Sequence, residues 1–190
     1  MIEADRRAVS AMLKAVNQRF VVQDEAKMAQ IRENFLPEFS LDIVQNPNAT
    51  VELLEAAWAE HNPEDLELTL GVISVFALFE DGYTREYADV MLRLLECDWH
   101  ECHEDIAFRI ERMRPPEAVE PLYRTALARY PYLDYDEAYA LGVKCVWGLG
   151  EIGTPEAVGR LRLLAACDNE VIRENAAYQL ERLGASHGQG

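Results

Sequence analysis

Residues 114–122 read RPPEAVEPL, and residues 153–161 read GTPEAVGRL. PEAV returns after 39 positions, and each copy is followed three residues later by a leucine, Leu122 or Leu161. The match extends backwards at the same offset, where Ala107, Phe108, Ile110 and Met113 fall on Val146, Trp147, Leu149 and Ile152. Apolar residues at three- and four-residue spacing on both sides of the turn predict a helix, a tight turn and a second helix started by proline. Proline costs nothing in a first helical turn, because the N–H it lacks would have had no intrahelical partner there. A hairpin of two such helices cannot cover all its own apolar surface, so successive hairpins are expected to stack. The segment from Glu64 to Cys97 has the same layout without the PEAV letters.

Helical periodicity runs through the rest of the chain. In TREYADVMLRLLEC, residues 84–97, Tyr87, Val90, Met91, Leu94 and Leu95 form an apolar stripe behind Thr84, a capping residue. PEDLELTLGVISVFALFEDG opens with Pro63 and acids, is apolar nearly all round through Phe79 and stops at Gly82, which predicts a helix buried on most sides. Further helices are expected at about 2–20, 23–36, 49–61, 101–113, 115–129, 136–150, 154–166 and 169–183, and no segment alternates as a strand would. The expected fold is all-α: an α-solenoid of stacked antiparallel helix pairs forming one continuous domain. Residues 1–48 would be an N-terminal helical cap and 49–190 the repeats, with the last few residues disordered.

The stretch WGLGEIGTPEAVGRLRLLAACDNEVIRENAAYQLERLG, from Trp147 to Gly184, resembles the short HEAT-like repeats first described in phycocyanobilin lyases. LGEIGTPEAV and the DNEVIRENAAYQL helix carry the resemblance, which is strong over residues 100–184, weaker over 49–99 and absent before that. The 39-residue interval exceeds the usual length of such repeats, and the excess sits in ARYPYLDYD, residues 128–136, as an insertion. The resemblance implies a curved right-handed stack whose second helices line a concave face. It brings no catalytic motif.

Composition narrows the function. With 34 acids against 18 bases, the formal net charge is −16, so nucleic acid and anionic membranes, which need a basic footprint, are poor partners. No base occurs between Arg32 and Arg85, and a second base-free window runs from Arg129 to Lys144. The N-terminal residues do not read as a secretory signal, the apolar run Leu68–Phe79 is too short to span a bilayer, and four cysteines are too few for a disulfide scaffold. A cytoplasmic protein is expected.

The densest chemical cluster is CDWHECHED, with Cys97, His100, Cys102 and His103 inside seven residues. These are zinc-ligand types, but structural zinc sites pair two ligand couples across a longer spacer, so the stretch is expected to be a junction between hairpins rather than a metal site. Serines lack a nucleophile-elbow context, no phosphate loop or HExxH motif occurs, and Cys145 lies on an apolar helical stripe. No catalytic residue, cofactor or metal is expected. Among HEAT-like families with activities, bilin lyases or isomerases share only the repeat, and alkylpurine DNA glycosylases need a basic groove that this charge opposes.

What remains is an acidic binding surface. The insertion places Tyr132 and Tyr135 beside Asp134 and Asp136, between Tyr130 and Tyr139, and tyrosine is common at interface hot spots. Tyr130 and Tyr139 are read as lying on the flank of the solenoid, whereas Tyr132, Asp134, Tyr135 and Asp136, together with Glu52, Glu55, Glu60, Glu86, Asp89, Glu96 and Trp99, are the expected partner-contacting residues. Trp58 is read as core. The expected partner is a basic protein, and the expected role is that of an immunity protein covering the substrate-binding surface of a cognate bacterial toxin. An adaptor or assembly factor for an enzyme complex, including a bilin-lyase-like chaperone, is the alternative.

Overall fold

The computed structural model describes residues 1–17, 25–79 and 82–187. Among them are ten α-helices and no strand. The chain divides into two compact units, Met1–Val90 and Met91–Gly190.

In the first unit, α1 (Glu3–Asn17) packs on α2 (Glu25–Phe35) and on α4 (Pro63–Val75), and α3 (Ala49–Glu60) packs on α4. One core joins Val9 and Met12 of α1, Phe35 and Ile43, and Leu68 and Val72 of α4. The first 48 residues therefore share their apolar interior with a later helix. Arg6 reinforces this by a two-pronged hydrogen bond to the buried carboxylate of Asp65, at 2.6 and 2.9 Å, which holds that carboxyl below its usual range. Asn62 starts α4 by accepting the Asp65 N–H at 3.0 Å.

Helix α4 stops at Val75, well short of the expected stop at Gly82. Ala77 and Phe79 both adopt left-handed backbone, which a continuing helix cannot accommodate. The turn lets Phe76 approach Phe35, 5.6 Å between centroids, and stacks Phe79 on Tyr87 at 4.0 Å. Thr84 caps α5 (Arg85–Leu95) by accepting the Tyr87 N–H at 3.3 Å. The expected ends of the first two helices at 18–20 and 23–24 lie outside the described residues, as does the expected disorder of residues 188–190.

In the second unit follow α6 (His103–Met113), α7 (Val119–Leu127), α8 (Ala140–Ile152), α9 (Pro155–Leu164) and α10 (Glu170–His187). Helix α8 packs on α6, α7, α9 and α10, and α7 packs on α9. Ile106 and Ile110 of α6, Leu122 of α7, Leu149 of α8 and Leu161 of α9 are fully buried. The two PEAV turns share their geometry. Arg114 and Gly153, at equivalent positions, are both left-handed and close α6 and α8, and Ala118 and Ala157 are both fully buried. They differ after the turn: Thr154 accepts the Ala157 N–H at 3.2 Å, so α9 begins at Pro155. Its counterpart Pro115 has no capping oxygen, and Pro116–Ala118 forms a 3-10 turn before α7. No helix of the structure is long and apolar enough to cross a membrane, among the described residues.

Candidate functional site

The insertion between α7 and α8 is irregular but fixed. Ala128 and Tyr130 are extended, and Pro131–Leu133 make one 3-10 turn. Asp136 then accepts the N–H groups of Ala138 at 3.0 Å and Ala140 at 2.6 Å, so its carboxylate sits at the positive end of α8. This corrects the expected start of α8: residue 136 is the acid that caps the helix from outside, and the helix begins at Ala140.

The other end of the insertion folds onto the stretch CDWHECHED. Nε2–H of His103 donates to the Cys97 carbonyl at 2.6 Å, which leaves Nδ1 to accept the Tyr132 hydroxyl at 2.9 Å. Nε2–H of His100 donates to the Leu94 carbonyl at 2.9 Å, and its Nδ1 accepts the Cys102 N–H at 3.2 Å. The His103 ring lies 3.9 Å from that of Tyr130 and 4.3 Å from that of His100. Burial pushes His103 down to about 4 and lowers His100 as well, while it raises the Tyr132 phenol. Both imidazoles are therefore neutral, with donor and acceptor nitrogens engaged. A metal would have to displace those bonds, and among the described residues no group of three or more His, Cys, Asp or Glu side chains is placed to hold one.

Pinned at both ends, the insertion projects Tyr135, which is 81% exposed, next to the exposed carboxylate of Asp134. A cleft of about 110 Å³ lies beneath, lined among others by Thr125, Tyr130, Asp134, Asp136, Tyr139 and Gly142. Tyr132 is half-buried by its contact with His103, and Trp99 is half-buried with its ring edge-on to His100 at 4.8 Å. Glu96 is paired with Arg124 at 2.7 Å. The remaining expected contacts belong to the first unit. There Glu52 and Glu60 are exposed on α3 and form no ion pair among the described residues, and Glu55 is half-buried. Glu86 and Asp89 are exposed on α5, with Asp89 3.7 Å from Arg85.

Chemically, the site can present groups to a partner. Burial raises the Cys145 thiol and disfavours its thiolate, and the histidines are committed. Phe108, Trp147 and Tyr178 also stand partly exposed on the second unit; the register match of Phe108 with Trp147 is a sequence signal for the first two. Compared with known proteins, the chain matches no family model, no curated protein and no solved structure.

Proposed function

We propose that this protein acts by binding a basic protein, with Tyr135 as an anchor on a fixed acidic loop. The observation that carries the reading is an 81% exposed tyrosine on a segment held by the His103–Tyr132 bond on one side and the Asp136 cap on the other. A large side chain displayed on a backbone that is already ordered loses little entropy on association. The partner's sign follows from the net charge of −16 and from exposed acids such as Asp134, Glu52 and Glu60. Helices α6, α8 and α10 would form one row and α7 and α9 the other, in a short HEAT-like solenoid; the contacts of α8 with α6 and α10, and of α7 with α9, support this arrangement.

Within that class, the reading we favour is an immunity protein whose carboxylates stand in for the phosphates that a toxic nuclease would bind. The test is a comparative capture from the source cells with the intact chain and with Tyr135→Ala as baits. One basic protein retained by the first and depleted on the second is expected, and that protein should be toxic when expressed without this chain. Retention of only acidic proteins, or equal capture by both baits, would contradict the proposal. A captured protein harmless on its own would leave binding in place and remove the immunity role.

A further inference from the structure

The second unit carries partly exposed aromatic rings on three successive helices of its α6, α8 and α10 set: Phe108, Trp147 and Tyr178. Lys144 of α8 reaches Glu104 of α6 at 2.6 Å, and Arg114, just beyond α6, reaches Glu151 of α8 at 3.3 Å. Along their helices Phe108 and Trp147 fall between these two ties, at positions the 39-residue register makes equivalent, and the Arg112 guanidinium lies 5.8 Å from the Phe108 ring and that of Arg182 5.8 Å from the Trp147 ring. On α10, the Tyr178 ring centroid lies 5.9 Å from that of Trp147. The Trp147 indole N–H donates to Asn175 at 3.3 Å, and Arg182 of α10 pairs with Glu151 at 2.7 Å. The three helices are thus braced one to the next, yet Phe108 is 46% and Tyr178 54% exposed. Exposed aromatics set in a rigid frame mark an interaction surface.

Charge indicates what would cover it. Lys144, Arg114 and Arg182 are each bound to a carboxylate of the same face. On α10, Glu174 and Glu181 lie one turn to either side of Tyr178, both exposed and forming no ion pair among the described residues. These two carboxylates flank the Tyr178 ring, an arrangement that accepts a cation over the aromatic face.

We infer that the α6–α8–α10 face binds a segment of the partner in which arginine or lysine alternates with apolar side chains, the cation lying over Tyr178 between Glu174 and Glu181 and the apolar groups on Phe108 and Trp147. This rests on the proposal that the protein binds a basic protein, but it concerns a different surface from the Tyr135 loop.

The test uses the full chain, labelled for nuclear magnetic resonance, and two capped hexapeptides, one alternating arginine and leucine and one alternating glutamate and leucine, at about 0.15 M salt. The arginine peptide should shift the Trp147 indole N–H and the α10 amides around Tyr178. Tyr178→Ala, and separately Glu174→Gln with Glu181→Gln, should weaken that binding about tenfold or more, while Tyr83→Ala, at an exposed tyrosine of the first unit, should leave it unchanged. All these side chains are exposed, and the amide spectrum of each variant reports whether it remains folded. Preference for the glutamate peptide, shifts spread over the whole chain, or no shift of the Trp147 indole at millimolar peptide would overturn the inference. Those outcomes leave the Tyr135 reading intact, which fails separately if Tyr135→Ala does not weaken capture of the whole partner.

Discussion

Gln179 of α10 is fully buried, and neither atom of its amide has a hydrogen-bond partner among the described residues. Its carbonyl oxygen occupies the space where a side chain on Gly150 would begin, so Gly150 is a matter of room rather than of backbone freedom. A buried amide without partners costs roughly 1–3 kcal/mol; Gln179→Met, of similar shape, should therefore raise the melting temperature, whereas Gly150→Ala should lower it. A thermal scan in which Gln179→Met unfolds earlier would show that the amide is satisfied after all. His103 makes the opposite case, a buried polar group with both nitrogens used. Tyr132→Phe strips the donor from its Nδ1 and should cost about 1–2 kcal/mol by denaturant titration, and an unchanged midpoint would rule out the bond. The folded His103 imidazole, near 4, binds its proton less readily than the ordinary side chain at 6.5. The unfolded chain thus takes up more protons between those values, and this contribution to stability is complete above about 6.5 and is lost as the pH falls toward 4. The His103 carbon-bound ring proton should show no titration above pH 5.5, roughly; a midpoint near 6.5 would mean that the ring is not buried as described.

Among the elements, the turn after each first helix carries the repeat. Gly153 is left-handed at φ 62° and Thr154 caps α9, so Gly153→Ala and Thr154→Ala should each destabilise by about 1 kcal/mol. Arg114 holds the equivalent left-handed position at φ 55°, where Arg114→Gly should lose little or gain stability despite giving up its exposed pair with Glu151. Equal losses at positions 114 and 153 would contradict the equivalence of the two turns. The turns were legible because proline, glycine and buried small residues act through neighbours in the chain. The start of α8 was not, since Asp136 among alternating acids and tyrosines reads equally well as a first helical residue or as the cap before one. Nor was the end of α4: residues 76–79 are as apolar as the helix before them, and only the contacts of Phe76 with Phe35 and Phe79 with Tyr87 show why the chain turns there. The histidine–tyrosine contact lay furthest from reach, since it joins residues 29 apart through an irregular loop. Sequence spacing could flag the density of Cys97, His100, Cys102 and His103 but could not show that main-chain groups and one tyrosine take up the imidazole nitrogens.

For the molecule as a whole, charge is the dominant property. Residues 1–90 hold 17 acids against 7 bases, and residues 91–190 hold 17 against 11, so both units are negative in their own right. A field of that sign accelerates encounter with a basic surface and slows encounter with an acidic one, and it is screened over about 8 Å at 0.15 M salt. Dissociation answers to different groups, the desolvated anchors, and is far less sensitive to salt. Glu52→Lys with Glu60→Lys should therefore lower the association rate and leave the fold intact, because both side chains are exposed and unpaired among the described residues. Tyr135→Ala should instead raise the dissociation rate, at a cost of about 2 kcal/mol if the ring is a hot spot. The most direct measurement is stopped-flow association with the captured partner across roughly 0.05 to 0.5 M salt. The account predicts an association rate that falls steeply over this range and a dissociation rate that scarcely moves; an association rate indifferent to salt, or one that rises with it, would contradict it.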